Sequence, residues 1–182
     1  MSDNTEPEKV KLTRDVKAIL VPFGEEITLE KDTEVTITQS LGGAYTIVTA
    51  GQMFRISNLN ADALGKEPVK VNENLAENAT LEDKIWAALK TCYDPEIPVN
   101  IVDLGLIYSI EIQNVTKKTF AVLIKMTLTA PGCGMGPVIA ADAKQKVFEI
   151  AGVVDVDIEF AFDPPWDRSR MSEAAKLQLG MI

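Results

Sequence analysis

Histidine is absent from the 182 residues. Its absence removes Ser-His-Asp and Cys-His catalysis, His-ligated zinc and haem on a proximal His. Cysteine occurs only twice, at Cys92 and Cys133. One chain therefore cannot supply the four thiolates of an ordinary iron–sulfur cluster, and two thiols do not make a secreted disulfide framework. No C-x-x-C signals a thioredoxin-like or thiolate–zinc centre. No G-x-x-x-x-G-K-[ST] loop signals ATP use. No run approaches the ~18 apolar residues of a membrane span. The opening Met1-Ser2-Asp3-Asn4-Thr5-Glu6 lacks the basic and apolar regions of a signal peptide. Positive charge is in deficit, with 18 Lys+Arg against 27 Asp+Glu and a net charge of −9. That balance argues against nucleic acid or an anionic membrane as the main partner. The expectation is a cytoplasmic protein with reduced thiols.

The remaining composition, 46% hydrophobic and 25% charged, fits one compact domain or a domain with a small second one. Four segments are expected: a flexible stretch over residues 1–10, a small β-rich module over 11–65, a linker over 66–78 and an α+β domain over 79–182. In the module, the apolar positions around Val16–Val21, Ile27–Leu29, Val35–Ile37, Tyr45–Thr49 and Met53–Ile56 read as short strands. Turns recur every 8–12 residues, the spacing of small barrels or sandwiches. The polar stretch from Asn58 to Asn78 reads as connecting chain.

In the second half, Thr80 with Asp83 makes a capping-box signal for a helix carrying Leu81, Ile85, Leu89 and Cys92 on one face. Asp94-Pro95 ends it. Alternation over 106–112 and 120–128 predicts an antiparallel hairpin. A Gly/Pro loop follows. A helix then bears Ile139, Ala143, Val147 and Ile150, and a strand alternates Val154, Val156, Ile158, Phe160 and Phe162 with acids. Ser172 caps a short last helix. The order α-β-β-α-β predicts a two-layer α+β domain.

Cys133 stands out chemically. It lies between Gly132 and Gly134, just before a helix, where backbone N–H groups and the helix dipole favour a thiolate. The plain alternative is a small buried hydrophobe, a role that suits Cys92 on its apolar stripe. Asp94 and Glu96 flank a rigid proline and can bind a hard cation, orient a loop or move a proton; by itself the tripeptide reads first as a turn in which Asp94 bonds nearby backbone N–H groups. Asp103 can brace its loop, with Gly105 supplying a special backbone angle. Thr129 can donate to the Cys133 sulfur, whereas Thr127 reads as ordinary strand. Trp166 plugs a core edge or lines a cleft.

These residues fall into three ordered blocks. Residues 94–108 (Asp94-Pro95-Glu96 through Asp103-Leu104-Gly105 to Tyr108), Leu128-Thr129-Ala130-Pro131-Gly132-Cys133 and Asp163-Pro164-Pro165-Trp166 together resemble the iron–sulfur assembly domain family. The tail from Met171 to Gly180 resembles that of the SufT branch, and residues 35–43 and Asp62-Ala63-Leu64-Gly65 resemble its N-terminal extension more loosely. The resemblance implies an auxiliary role in iron–sulfur protein maturation. The family's reactive cysteine maps to Cys133, its acidic motif to Asp94 and Glu96, and its threonine to Thr129; Ala130 stands where many relatives carry a second Thr.

The resulting expectation is a two-domain accessory factor without catalytic turnover and without a tightly bound cofactor. It would hold iron or a cluster transiently through Cys133, with ligands completed by a partner. Partners would be scaffold or carrier proteins and client apoproteins, and a homodimer would bring two Cys133 thiols together. Two rivals stand beside it. One is a non-metal adaptor docking clients to the scaffold. The other is a thiol carrier enzyme, handicapped by having no histidine base.

Overall fold

The computed structural model describes residues 6–70, 75–94, 97–130, 132 and 134–181. The chain divides into two compact units, residues 1–70 and 71–182.

The first unit is one antiparallel sheet of six strands. These are β1 (Glu8–Lys11), β2 (Val16–Val21), β3 (Glu25–Leu29), β4 (Glu34–Leu41), β5 (Ala44–Thr49) and β6 (Gln52–Ile56). They are ordered β1-β4-β5-β6-β2-β3. Gly42 and Gly43, at φ 60° and 83°, form the two-residue β4–β5 turn; two positive φ values in succession give the turn twist that matches paired strands. The register Ile37↔Ile47↔Phe54↔Leu20 puts the large apolar residues on one face. A 3-10 helix, Asn58–Leu64, buries Ala61, Ala63 and Leu64 with that core.

Three expectations change here. Glu8–Lys11 is not frayed but pairs with β4, because Val10 alternates with lysines and packs against the core. The sheet is open, with β1 and β3 at its two ends, rather than a closed barrel or a two-sheet sandwich. Part of the polar stretch after Ile56 is structured. Asn58 accepts from the Val69 N–H at 2.7 Å and donates to the Val69 carbonyl at 2.9 Å, tying residue 69 to this unit.

The second unit runs α1 (Leu81–Leu89), β7 (Ile107–Asn114), β8 (Phe120–Met126), α2 (Gly136–Phe148), β9 (Val153–Phe160) and α3 (Glu173–Gln178). It is an α+β fold whose sheet is ordered β7-β8-β9. The β7–β8 hairpin is antiparallel, and β9 joins β8 in parallel after the α2 crossover. Thr80 and Asp83 form the reciprocal capping box at α1. Ile85, Ala88 and Leu89 of α1, Ile139, Ala143 and Val147 of α2, and Val122, Ile124 and Met126 of β8 are buried. Burying each large aliphatic side chain contributes about 1.5–3 kcal/mol.

α1 stops at Leu89, short of Cys92. The Thr91 hydroxyl bonds back to the Ala88 carbonyl at 2.7 Å and the Cys92 N–H to Leu89 O, and these tight bonds close the last turn. Cys92 is nonetheless fully buried. The alternation of the last strand is also only partly kept. The pairing steps from Phe120↔Val153 to Ala121↔Asp155, so Val154 bulges out and is exposed. Val156 is buried, but Phe160 and Phe162 emerge at the far end.

Candidate functional site

The first block is a loop that doubles back on the end of α1. Tyr93 pairs with Asn100, and the Ile101 N–H donates to the Cys92 carbonyl at 2.9 Å. Asp94 sits in this return and is buried. The Asn100 side chain organises the next turn: its oxygen accepts from Val102 and Asp103 N–H at 3.0 and 2.9 Å, and its amide donates to Asp103 Oδ2 at 2.6 Å. Burial, and secondarily the negative charge of Asp103, raise the Tyr93 hydroxyl above its ordinary pKa. Glu96 lies outside the described residues.

The third block closes over the first. The Trp166 indole donates to Leu104 O at 2.7 Å, and the Ser172 N–H donates to Asp103 O at 2.8 Å. The Tyr108 hydroxyl donates to Pro164 O at 2.6 Å, and the Arg170 guanidinium stands 4.5 Å above the Tyr108 ring, a favourable cation–π distance. Gln178 reaches back to Pro98 O at 2.8 Å.

The second block joins from the sheet. The Thr127 N–H donates to Leu106 O at 2.8 Å, so the loop after Asp103 is stitched to the end of β8. Thr127 is fully buried, and its hydroxyl has no hydrogen-bond partner among the described residues. Thr129 is half-buried, whereas Gly132 and Gly134 are exposed turn positions. Cys133 itself lies outside the described residues. α2 begins at Gly136 with Pro137 in its first turn; its Met135 cap makes no side-chain hydrogen bond, and no acid occupies the first turn. Its leading N–H groups therefore favour an anion nearby.

The fold thus connects Asp103 and Trp166 through Leu104, and both to the root of the Thr129 loop through Leu106. Among the described residues no group of three or more His, Cys, Asp or Glu is placed to hold a metal ion; Glu96 and Cys133 are outside that set. Sequence reading passed over Asn100, Arg170 and Lys146. The Asn100-x-x-Asp103 spacing signals an Asx turn. Lys146 is buried and donates to Thr91 O at 2.7 Å, with Asp142 at 3.3 Å; the signal for it is the i,i+4 acid–lysine spacing. Nothing local announced Arg170.

A family model described as iron–sulfur cluster assembly protein matches residues 82–160. A protein of Porphyromonas gingivalis named Fe-S protein maturation auxiliary factor is 44% identical over 101 residues, covering 56% of this chain and 92% of its own. The Fe-S protein maturation auxiliary factor SufT of Staphylococcus aureus is 38% identical over 88 residues, covering 48% of this chain and 96% of its own. An iron-sulfur cluster carrier protein of Deinococcus radiodurans is 32% identical over 80 residues, 44% of this chain but 21% of that protein. The first two relatives are spanned almost end to end by a match the size of the second unit. They leave no room for a counterpart of the first unit, and the looser resemblance of residues 35–43 and 62–65 gains no support from them. No helix among the described residues is long and apolar enough to cross a membrane.

Proposed function

Because the chain belongs to the iron–sulfur cluster assembly protein family, we propose that it is an auxiliary factor in the assembly of iron–sulfur clusters or their delivery to apoproteins. The observation that carries this reading is the match over residues 82–160, together with near full-length coverage of a relative named a maturation auxiliary factor at 44% identity. In this reading the cluster or its iron is cargo. Cys133, placed by sequence between two exposed glycines and ahead of the uncapped α2 N-terminus, is the thiolate that meets it. Asp94 and Glu96 add carboxylate character, and Thr129 a hydroxyl. One thiolate with carboxylates holds such cargo weakly, so the remaining ligands come from the partner. Weak holding suits an intermediary that must release what it carries. No turnover of a substrate is required. The presence of a related segment within a larger protein named a cluster carrier supports a carrier or scaffold as the partner class. The protein works in the cytoplasm.

The test is the activity of a cluster-dependent enzyme, such as an aconitase, in cells deleted for this gene and grown under iron limitation. Activity per amount of enzyme protein should fall, and should recover on returning the gene and on reconstituting the cluster chemically in the extract. Unchanged specific activity, or a loss that chemical reconstitution does not repair, would contradict the assembly role.

A further inference from the structure

β9 ends the sheet, and among the described residues no strand lies beyond it. The Ala161 N–H donates to Met126 O on β8 at 2.8 Å. Strand N–H groups alternate in direction, so those of Ile158 and Phe160 face away from β8. The Ile158 N–H is taken by the carboxylate of its own neighbour, Asp157 Oδ1, at 3.0 Å. The tail after the strand turns instead toward β7, where Tyr108 and Leu104 hold Pro164 and Trp166.

The two faces of this edge differ chemically. On the helix-covered face the apolar line Val156, Ile158, Phe160 runs from buried to exposed. It continues to Phe162, whose ring stacks on Phe160 at 6.3 Å and 14°. Phe160 and Phe162 are 38% and 46% exposed, an unusual state for two adjoining phenylalanines. On the open face Asp155, Asp157 and Glu159 are all exposed, opposite Ala121, Leu123 and Lys125 of β8.

We propose that the β9 edge is a docking site for an extended segment of a partner protein in which basic and apolar residues alternate. Added as a fourth strand, such a segment sets its apolar side chains beside Ile158, Phe160 and Phe162 and its basic ones beside Asp157 and Glu159. Its backbone meets the outward Phe160 N–H, the Ile158 N–H being held by Asp157. The charges select the occupant. A second copy of this chain paired edge to edge would set three carboxylates against three, which is repulsive, whereas a basic segment is complementary. The site deepens the assembly role by giving the chemistry of the docking partner; it rests on that role only for which protein brings the segment.

The experiment uses the full chain and a short fluorescent peptide alternating Lys and Val, read by anisotropy. Saturable binding is expected, with affinity at least about tenfold above that of a peptide with the same residues in two blocks. Asp157→Lys combined with Glu159→Lys should weaken the Lys–Val peptide about tenfold and favour an alternating Glu–Val peptide instead. Phe162→Ser, at an exposed site after the strand, should weaken both peptides without altering Trp fluorescence. Equal binding of the block peptide, no charge-swap preference, or a concentration-dependent dimer abolished by Phe162→Ser would each overturn the proposal. Recovery of cluster-enzyme activity is a separate readout, so a failed peptide test leaves the assembly role standing.

Discussion

Gly105 and Gly132 both hold positive φ, at 75° and 79°, yet they answer to different neighbours. A Cβ at Gly105 would collide with the Arg170 carbonyl, because the tail backbone rests on that position; at Gly132 nothing among the described residues lies within 4 Å. Gly105→Ala should cost roughly 3 kcal/mol from combined backbone strain and collision, and Gly132→Ala about 1 kcal/mol from strain alone. Both tryptophans, Trp86 and Trp166, belong to the second unit, so urea unfolding followed by Trp fluorescence reports this unit selectively. Trp166→Phe keeps an aromatic ring but leaves Leu104 O without its indole donor; a loss of about 1–2 kcal/mol is expected in the same measurement, with emission then coming from Trp86 alone. At this scale the sequence was partly legible. Asp103 and Trp166 were singled out, but the reason they sit together, a backbone-directed bond between residues 62 positions apart, has no local signature.

The elements were legible where local chemistry decides them. The Thr80–Asp83 capping box was readable because both halves lie within four residues, and the structure makes both bonds. Thr80→Ala should cost about 1 kcal/mol. The backbone N–H of Thr80, then its hydroxyl, hold the Asp83 carboxylate below its ordinary value of 3.8. A lowered native pKa stabilises the fold at pH above the unfolded value and ceases to do so as pH falls through the native one. The stability difference between the parent and Asp83→Asn should therefore be largest near neutrality and close as pH drops below about 4. β9 shows the opposite case. Its alternation was plain in the sequence, but its bulge at Val154 and the emergence of Phe160 depend on register with β8 and on where α2 stops covering the sheet. Lys146 is another long-range effect. Its ammonium meets the carbonyl of Thr91 just after α1, so Lys146→Met should destabilise the unit by about 1–3 kcal/mol by taking that donor from the buried carbonyl and one ion partner from Asp142.

At the scale of the whole molecule, the chain places the family match within its second unit and adds a six-stranded sheet before it. Residues 71–182 expressed alone should fold with the urea midpoint that the Trp signal shows in the full chain. A lower midpoint would show that the first unit lends stability to the second. The α+β class and the order of elements were readable because hydrophobic period and capping agree in each segment. The functional reading was readable because three short blocks hold their order. The open sheet of the first unit was not readable, since strand pairing across 10–40 residues leaves no mark in spacing. In the proposed role Cys133, and not Cys92, carries the chemistry of cluster maturation. The most direct measurement compares cluster-dependent enzyme activity in deletion cells carrying the parent gene, Cys133→Ala or Cys92→Ala at matched protein levels. Cys92→Ala, a small change at a buried thiol, is expected to restore activity while Cys133→Ala is not. Full restoration by Cys133→Ala would contradict that role and leave docking, without a thiol, as the protein's contribution.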